Sequence, residues 1–231
     1  PDKQALTMRK GNELLTTGTY RPATGLMSVE ILDPKPAEAA WSVDGGMTWN
    51  DSGIEPIELE TGDYQVIYRE VAGWDAPAET TTTVTKDTLT TLTAQYVRQT
   101  GQLKVKINPE AAILAGAQWS VDGGTTWKDS DTTLTLPTDE YTLTYKSVTY
   151  WNVPQNEVLT ITKDAFVETS GTYVRQKGSI VVNITGPTEA RWSIDGGTTW
   201  FESGTTQTVD AGQYVVSFLD VYGWTTPVDQ Q

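Results

Sequence analysis

The chain has 231 residues, a formal net charge of −14 and a pI near 4.3, which argues against a phosphate-binding nucleic-acid surface. It contains no histidine and no cysteine, so the commonest general acid/base and metal ligand, thiol nucleophiles, zinc clusters and disulfides are all excluded. No apolar stretch approaches the length of a membrane span, and no signal peptide is visible in a chain that begins at Pro1.

In chain order, residues 1–24 come first. Leu6-Thr7-Met8-Arg9-Lys10 through Gly18-Thr19-Tyr20 lies without a gap on Leu159-Thr160-Ile161-Thr162-Lys163 through Gly171-Thr172-Tyr173. Residues 1–24 therefore read as the final two strands of a β-sandwich. A repeat of roughly seventy-five residues follows in three copies, 25–100, 101–177 and 178–231, and the third lacks its last strands.

Each copy opens on a glycine (Gly25, Gly101, Gly178) and an alternating run: Leu26 to Ile31, Leu103 to Ile107, Ile180 to Ile184. Trp41, Trp119 or Trp192 then leads into a Ser-x-Asp-Gly-Gly hairpin that ends at Trp49, Trp127 or Trp200. Next comes a Tyr-x-apolar-x-aromatic strand: Tyr64/Val66/Tyr68, Tyr141/Leu143/Tyr145, Tyr214/Val216/Phe218. Beyond it stand Trp74, Trp151 or Trp224 and then Pro77, Pro154 or Pro227. Copies one and two add two more strands and close on Tyr96-Val97-Arg98-Gln99 and Tyr173-Val174-Arg175-Gln176. Period-two alternation, abundant threonine, Gly/Pro/Asp turn signals and no helical periodicity give about seven short strands per copy. The prediction is an all-β chain of tandem Ig-like β-sandwich domains, joined with so little slack that they form a linear rod. The nine tryptophans fall three to a copy at fixed positions, which assigns them to core packing and hairpin bracing rather than to ligand stacking.

The combination of the Trp41-Ser42-Val43-Asp44-Gly45-Gly46 hairpin, Val71-Ala72-Gly73-Trp74 with Pro77, and the closing Gly171-Thr172-Tyr173 resembles PEGA-like and bacterial Ig-like tandem surface repeats over nearly the whole chain. That resemblance implies a secreted or cell-surface, bacterial, non-catalytic spacer or interaction module. The hairpin also matches the Asp-box pattern Ser-x-Asp-x-Gly-x-Thr-Trp in all three copies, known from sialidases and other propellers. Asp44, Asp122 and Asp195 are expected to accept backbone N–H groups of the turn, with Trp49, Trp127 and Trp200 bracing it.

An Asp-box is a folding element, and the chain has few arginines and a repeat of the wrong length for propeller blades. No enzyme is expected. Pairs such as Asp129/Asp131 and Glu55/Glu58 do not recur between copies, and read as solvated surface. No cofactor is called for, although the acidic turns offer the oxygen ligands that calcium takes. The sequons Asn50-Asp51-Ser52 and Asn183-Ile184-Thr185 matter only in a host that glycosylates them.

A sandwich without two of its strands exposes unpaired backbone and an open core. The expectation is that residues 1–24 of one subunit complete residues 178–231 of the next, head to tail, generating a filament, fibre or stalk. The interface would use Leu6, Met8, Arg9, Leu14 and Tyr20 against Val216, Phe218 and Trp224. Charge favours it: residues 1–24 carry +2 and residues 178–231 carry −5. The alternative is a fragment of a long tandem-repeat adhesin or carbohydrate-binding surface protein, whose partners would be host-surface glycans or proteins.

Overall fold

The computed structural model describes residues 6–11, 13, 15–53 and 55–231. The chain divides into two compact units, Pro1–Arg98 and Gln99–Gln231.

In the first unit, β1 (Thr24–Leu32) alternates strictly, with Gly25, Met27, Val29 and Ile31 turned inward. The following strands are β2 (Ala40–Ser42), β3 (Asn50–Asp51), β4 (Ile57–Glu60), β5 (Gly62–Tyr68), β6 (Trp74–Asp75), β7 (Thr80–Val84), β8 (Leu89–Gln95) and β9 (Val97–Arg98). One sheet has the order β4-β1-β8, and the other β3-β2-β5-β7. β1 runs antiparallel to β4 but parallel to β8, which requires the long crossover through the other sheet. The core between the sheets joins Met27, Val29 and Ile31 to Trp41, Val66, Tyr68 and Tyr96. β9 pairs with β6, so the closing strand is tied to Trp74.

The second unit begins with the same plan. β10 (Thr100–Asn108) is followed by a short helix, α1 (Glu110–Leu114). Then come β11 (Trp119–Ser120), β12 (Thr133–Pro137), β13 (Asp139–Tyr145), β14 (Trp151–Asn152), β15 (Glu157–Ile161), β16 (Phe166–Thr172) and β17 (Val174–Arg175). The sheets are β12-β10-β16 and β11-β13-β15. Trp119 is fully buried among Leu103, Val105, Ile107 and Leu143. Removing an indole of roughly 200 Å² from water is worth at most about 5 kcal/mol. α1 departs from the all-strand expectation. Pro109 precedes it, Glu110 sits in its first turn, and Ala111 and Ala112 are strong helix formers. Five residues are too short to leave a period in the sequence.

The rest of the second unit holds β18 (Lys177–Val181), β19 (Arg191–Ser193), β20 (Phe201–Glu202), β21 (Thr206–Asp210) and β22 (Ser217–Phe218). They repeat the order as two smaller sheets, β18-β21 and β20-β19-β22. Trp192 remains fully buried, helped by Phe201, whose ring centroid lies 5.0 Å from it. The second and third sandwiches meet through Arg175. Its guanidinium stacks 5.2 Å from the Trp151 ring and donates a hydrogen bond to the carbonyl of Ala211.

Candidate assembly interface

The three hairpins are closed hydrogen-bond circuits. Ser42, Ser120 and Ser193 are fully buried, and a buried hydroxyl must be satisfied. The Ser42 hydroxyl donates to Asp44 Oδ1 at 2.7 Å and accepts the N–H groups of Asp44 (3.2 Å) and Gly46 (3.0 Å). Asp44 in turn accepts the Thr48 N–H at 2.9 Å and the Thr48 hydroxyl at 2.6 Å. Asp122 and Asp195 accept the N–H groups of Thr126 and Thr199 in the same way, at 2.9 and 2.8 Å. The Thr48 hydroxyl and N–H, then Ser42, push the Asp44 carboxyl down to about 2. Thr199 and then Ser193 do the same for Asp195, also to about 2. Asp122 is held well below the ordinary carboxylate range, by the Ser120 hydroxyl first and Thr126 second.

Gly46 has φ +87°, and a Cβ there would lie 3.1 Å from Trp49 Cζ2. The ring therefore rests on the glycine, and Arg69 stacks 5.0 Å from that ring. Trp127 and Trp200 lie in the same way over Gly124 and Gly197. These carboxylates are spent inside their own turns. Among the described residues, no cluster of three or more acidic side chains is arranged to hold a metal ion. The arrangement braces a turn.

One repeated element escapes the sequence reading. Ser52, Ser130 and Ser203 accept the backbone N–H of Ile31, Ile107 and Ile184, at 2.7, 2.9 and 2.8 Å. They clip the loop after each hairpin to the far end of the opening strand, or in the third copy to the residues just beyond it, where the antiparallel ladder has ended. Their recurrence three residues after Trp49, Trp127 and Trp200 was the available signal.

The third sandwich differs from the first two on the side where those two carry their last strands. β1 and β10 are each nine residues long and run seven of them against a parallel strand, whereas β18 is five residues long and among the described residues pairs only with β21. Met27, Val29 and Ile31 are buried, as are Leu103, Val105 and Ile107. The matching Ile180, Val182 and Ile184 are partly exposed. Val216 and Phe218 are half-exposed where Val66, Leu143, Tyr68 and Tyr145 are buried, and Trp224 is 59% exposed.

Two features set the register of this open side. Val216 and Gln230 exchange both backbone hydrogen bonds, at 2.8 and 3.0 Å. In the repeat this is the same pairing as Val66 with Thr80 and Leu143 with Glu157, so Gln230 begins the ladder that β7 and β15 complete. The second feature is a tyrosine anchor. Tyr96 and Tyr173 are buried and donate their hydroxyls to the carbonyls of Arg69 (2.7 Å) and Lys146 (2.6 Å). Burial raises both phenols, Tyr173 to about 12. The residue of the third sandwich that matches the acceptors Arg69 and Lys146 is Leu219, which lines a cleft with Ile184, Thr185, Val221, Trp224 and Pro227.

In the first unit, Leu6 (56%), Met8 (68%) and Tyr20 (101%) are exposed, as is Arg9. Leu14 lies outside the described residues. Residues 15–23 belong to no strand or helix. The first unit thus exposes Leu6, Met8, Leu15 and Tyr20 ahead of its first strand, and the second unit contains a sandwich with a half-open apolar face.

No family model and no curated protein matches the chain. Among solved structures, the chain is similar to the Bacillus anthracis TIE protein, with 13% identity and a TM-score of 0.53 over 89% of this chain. It spans only 47% of that protein's chain. A streptococcal ancillary pilin is also similar, at 10% identity and a TM-score of 0.34, over 90% of this chain and 94% of that one. The first likeness, with the sheet order, places the fold among all-β, Ig-like sandwiches.

Proposed function

We propose that the chain is a non-enzymatic, extracellular structural protein, a subunit or segment of a bacterial surface filament, fibre or stalk, in which residues 6–24 of one copy complete the third sandwich of its neighbour. The observation that carries this reading is the ladder opened at Val216 and Gln230. By the repeat, Gln231 matches Val158 and Leu6 matches Leu159, so the strand begun at Gln230 continues in register with Leu6. Leu6 would then oppose Tyr214, as Leu159 opposes Tyr141. Tyr20 would fill the cleft and donate to the Leu219 carbonyl. An exposed tyrosine, leucine and methionine would move from water into a half-built core, which is the driving force of strand addition. The contact is heterologous and does not close on itself, so it propagates.

The experiment is native mass spectrometry and electron microscopy of the purified chain over a concentration series. The expected result is a ladder of oligomers and filaments that disappears on deletion of residues 6–20. A monodisperse monomer whose strands at 177–181 and 217–218 are as protected from hydrogen exchange as 100–108 would overturn the reading. Residues 6–24 would then have no sandwich to complete.

A further inference from the structure

Strand addition needs a register, and in this chain two glycines stand where the first two sandwiches allow no side chain larger than a methyl group. In the first sandwich a Cβ on Gly25 would lie 2.2 Å from the carbonyl oxygen of Thr85, and in the second a Cβ on Gly101 would lie 2.5 Å from that of Thr162. Both carbonyls belong to the turn just after β7 or β15, so backbone presses on backbone. The third glycine of the series, Gly178, has nothing within 4 Å. By the repeat, the residue that matches Thr162 is Arg9.

The second glycine lies on the other partner. Gly171 pairs beside Ile107 on the strand parallel to β10, and a Cβ there would lie 2.3 Å from Tyr145 Cε1. In the first sandwich Ala94 takes the same place beside Ile31, buried in one cluster with Tyr68. The position therefore admits nothing larger than a methyl group. Its match in residues 6–24 is Gly18, which also has nothing within 4 Å, and the match of Tyr145 is Phe218.

We infer that Gly18 of the incoming segment and Gly178 of the receiving sandwich are the register-determining residues of assembly: Gly18 passes beneath the Phe218 ring while the Arg9 carbonyl passes over Gly178. This rests on the strand-addition reading above. A one-residue slip turns every side chain to the wrong face. A two-residue slip keeps the faces but drives Thr16 or Tyr20 into Phe218. Only the register that puts Gly18 there also brings Tyr20 to Leu219. Neither glycine has positive φ, and both are open in the single chain, so bulk at either is harmless until a second copy docks.

The test uses the full chain in three forms: wild type, Gly18→Val and Gly178→Val. Gly18→Val spoils the donor segment and leaves the acceptor intact, and Gly178→Val does the reverse. Each variant alone is expected to remain monomeric in native mass spectrometry, with a wild-type circular dichroism spectrum. An equimolar mixture is expected to stop at the heterodimer, because the one competent donor and the one competent acceptor are then used. The retained pairing in the mixture also shows that both variants are folded. Variants that polymerise like wild type, a mixture that runs on to long oligomers, or a mixture that forms no dimer would each overturn the register assignment while wild-type assembly stands. A wild-type chain that never leaves the monomer overturns the parent reading, and this one with it.

Discussion

Val29, Val105 and Val182 occupy one position in three copies of one strand pattern, so the same substitution in each reports on the closure of its sandwich. Val29 and Val105 are 2% and 0% exposed, whereas Val182 is partly exposed. Valine to alanine removes two carbon groups, about 1.6 kcal/mol of transfer free energy at ~0.8 kcal/mol for each. A residual cavity of roughly 40 Å³ adds about 1 kcal/mol where the surroundings cannot relax. The expected cost is therefore about 2.5 kcal/mol for Val29→Ala and Val105→Ala. For Val182→Ala it is below about 1 kcal/mol, because water already reaches the site and no closed cavity forms. Tandem sandwiches need not unfold in one transition, so the assay is hydrogen exchange by mass spectrometry in a urea series, read separately over 24–32, 100–108 and 177–184. Adding a synthetic peptide of residues 6–24 in excess should raise the cost at Val182 toward that at Val105. Equal costs at all three positions in the chain alone would refute the openness of the third core. A ranking unmoved by the peptide would refute its completion by that segment.

The carboxyls of Asp44 and Asp195 sit near 2 in the folded chain against an ordinary value of 3.8, so their stabilising effect is present above about pH 4 and lost as pH falls through 2. Tryptophan fluorescence should show the hairpins loosening in that window, and an Asp44→Asn variant should lose part of that pH dependence. Gly123→Ala, at φ +69° with open space around it, should cost about 1 kcal/mol, and Gly124→Ala, at φ +85° with Trp127 Cζ2 2.9 Å from the new Cβ, about 2–3 kcal/mol. Urea melts followed at the tryptophan emission band separate the two, and equal costs would refute the packing of Trp127 on Gly124. Arg175→Ala removes the stack on Trp151 and the bond to Ala211, and should raise exchange at residues 209–214 by an amount corresponding to about 1–2 kcal/mol. Unchanged protection there would show that Arg175 does not tie the second sandwich to the third.

The repeat was legible because its chemistry is local. The Ser-x-Asp-Gly-Gly turn demands positive φ, a buried hydroxyl and a ring lying on glycine, so the same residues recur wherever that turn is made. The clip from Ser52, Ser130 and Ser203 recurs as regularly, yet its partner is an isoleucine N–H some twenty residues earlier in the chain, and spacing alone does not name such a partner. The parallel pairing of β1 with β8 was hidden for the same reason, because alternation specifies a face and not a neighbour. α1 was missed because five residues do not repeat the helical period of about 3.6 residues even twice.

Composition and repetition alone determined that this is a chain of β-sandwiches without histidine or cysteine chemistry, and they laid residues 6–20 on 159–173 and residues 178–231 on the first part of the repeat. Tertiary structure alone decided what that alignment can mean. It put Ile180, Val182 and Ile184 at a half-open face, set the ladder register at Val216 and Gln230, and left Leu219 lining a cleft. It also showed the close approaches at Gly25, Gly101 and Gly171 and the open space at Gly18 and Gly178: a close approach is a relation between two strands in space, which no run of sequence displays.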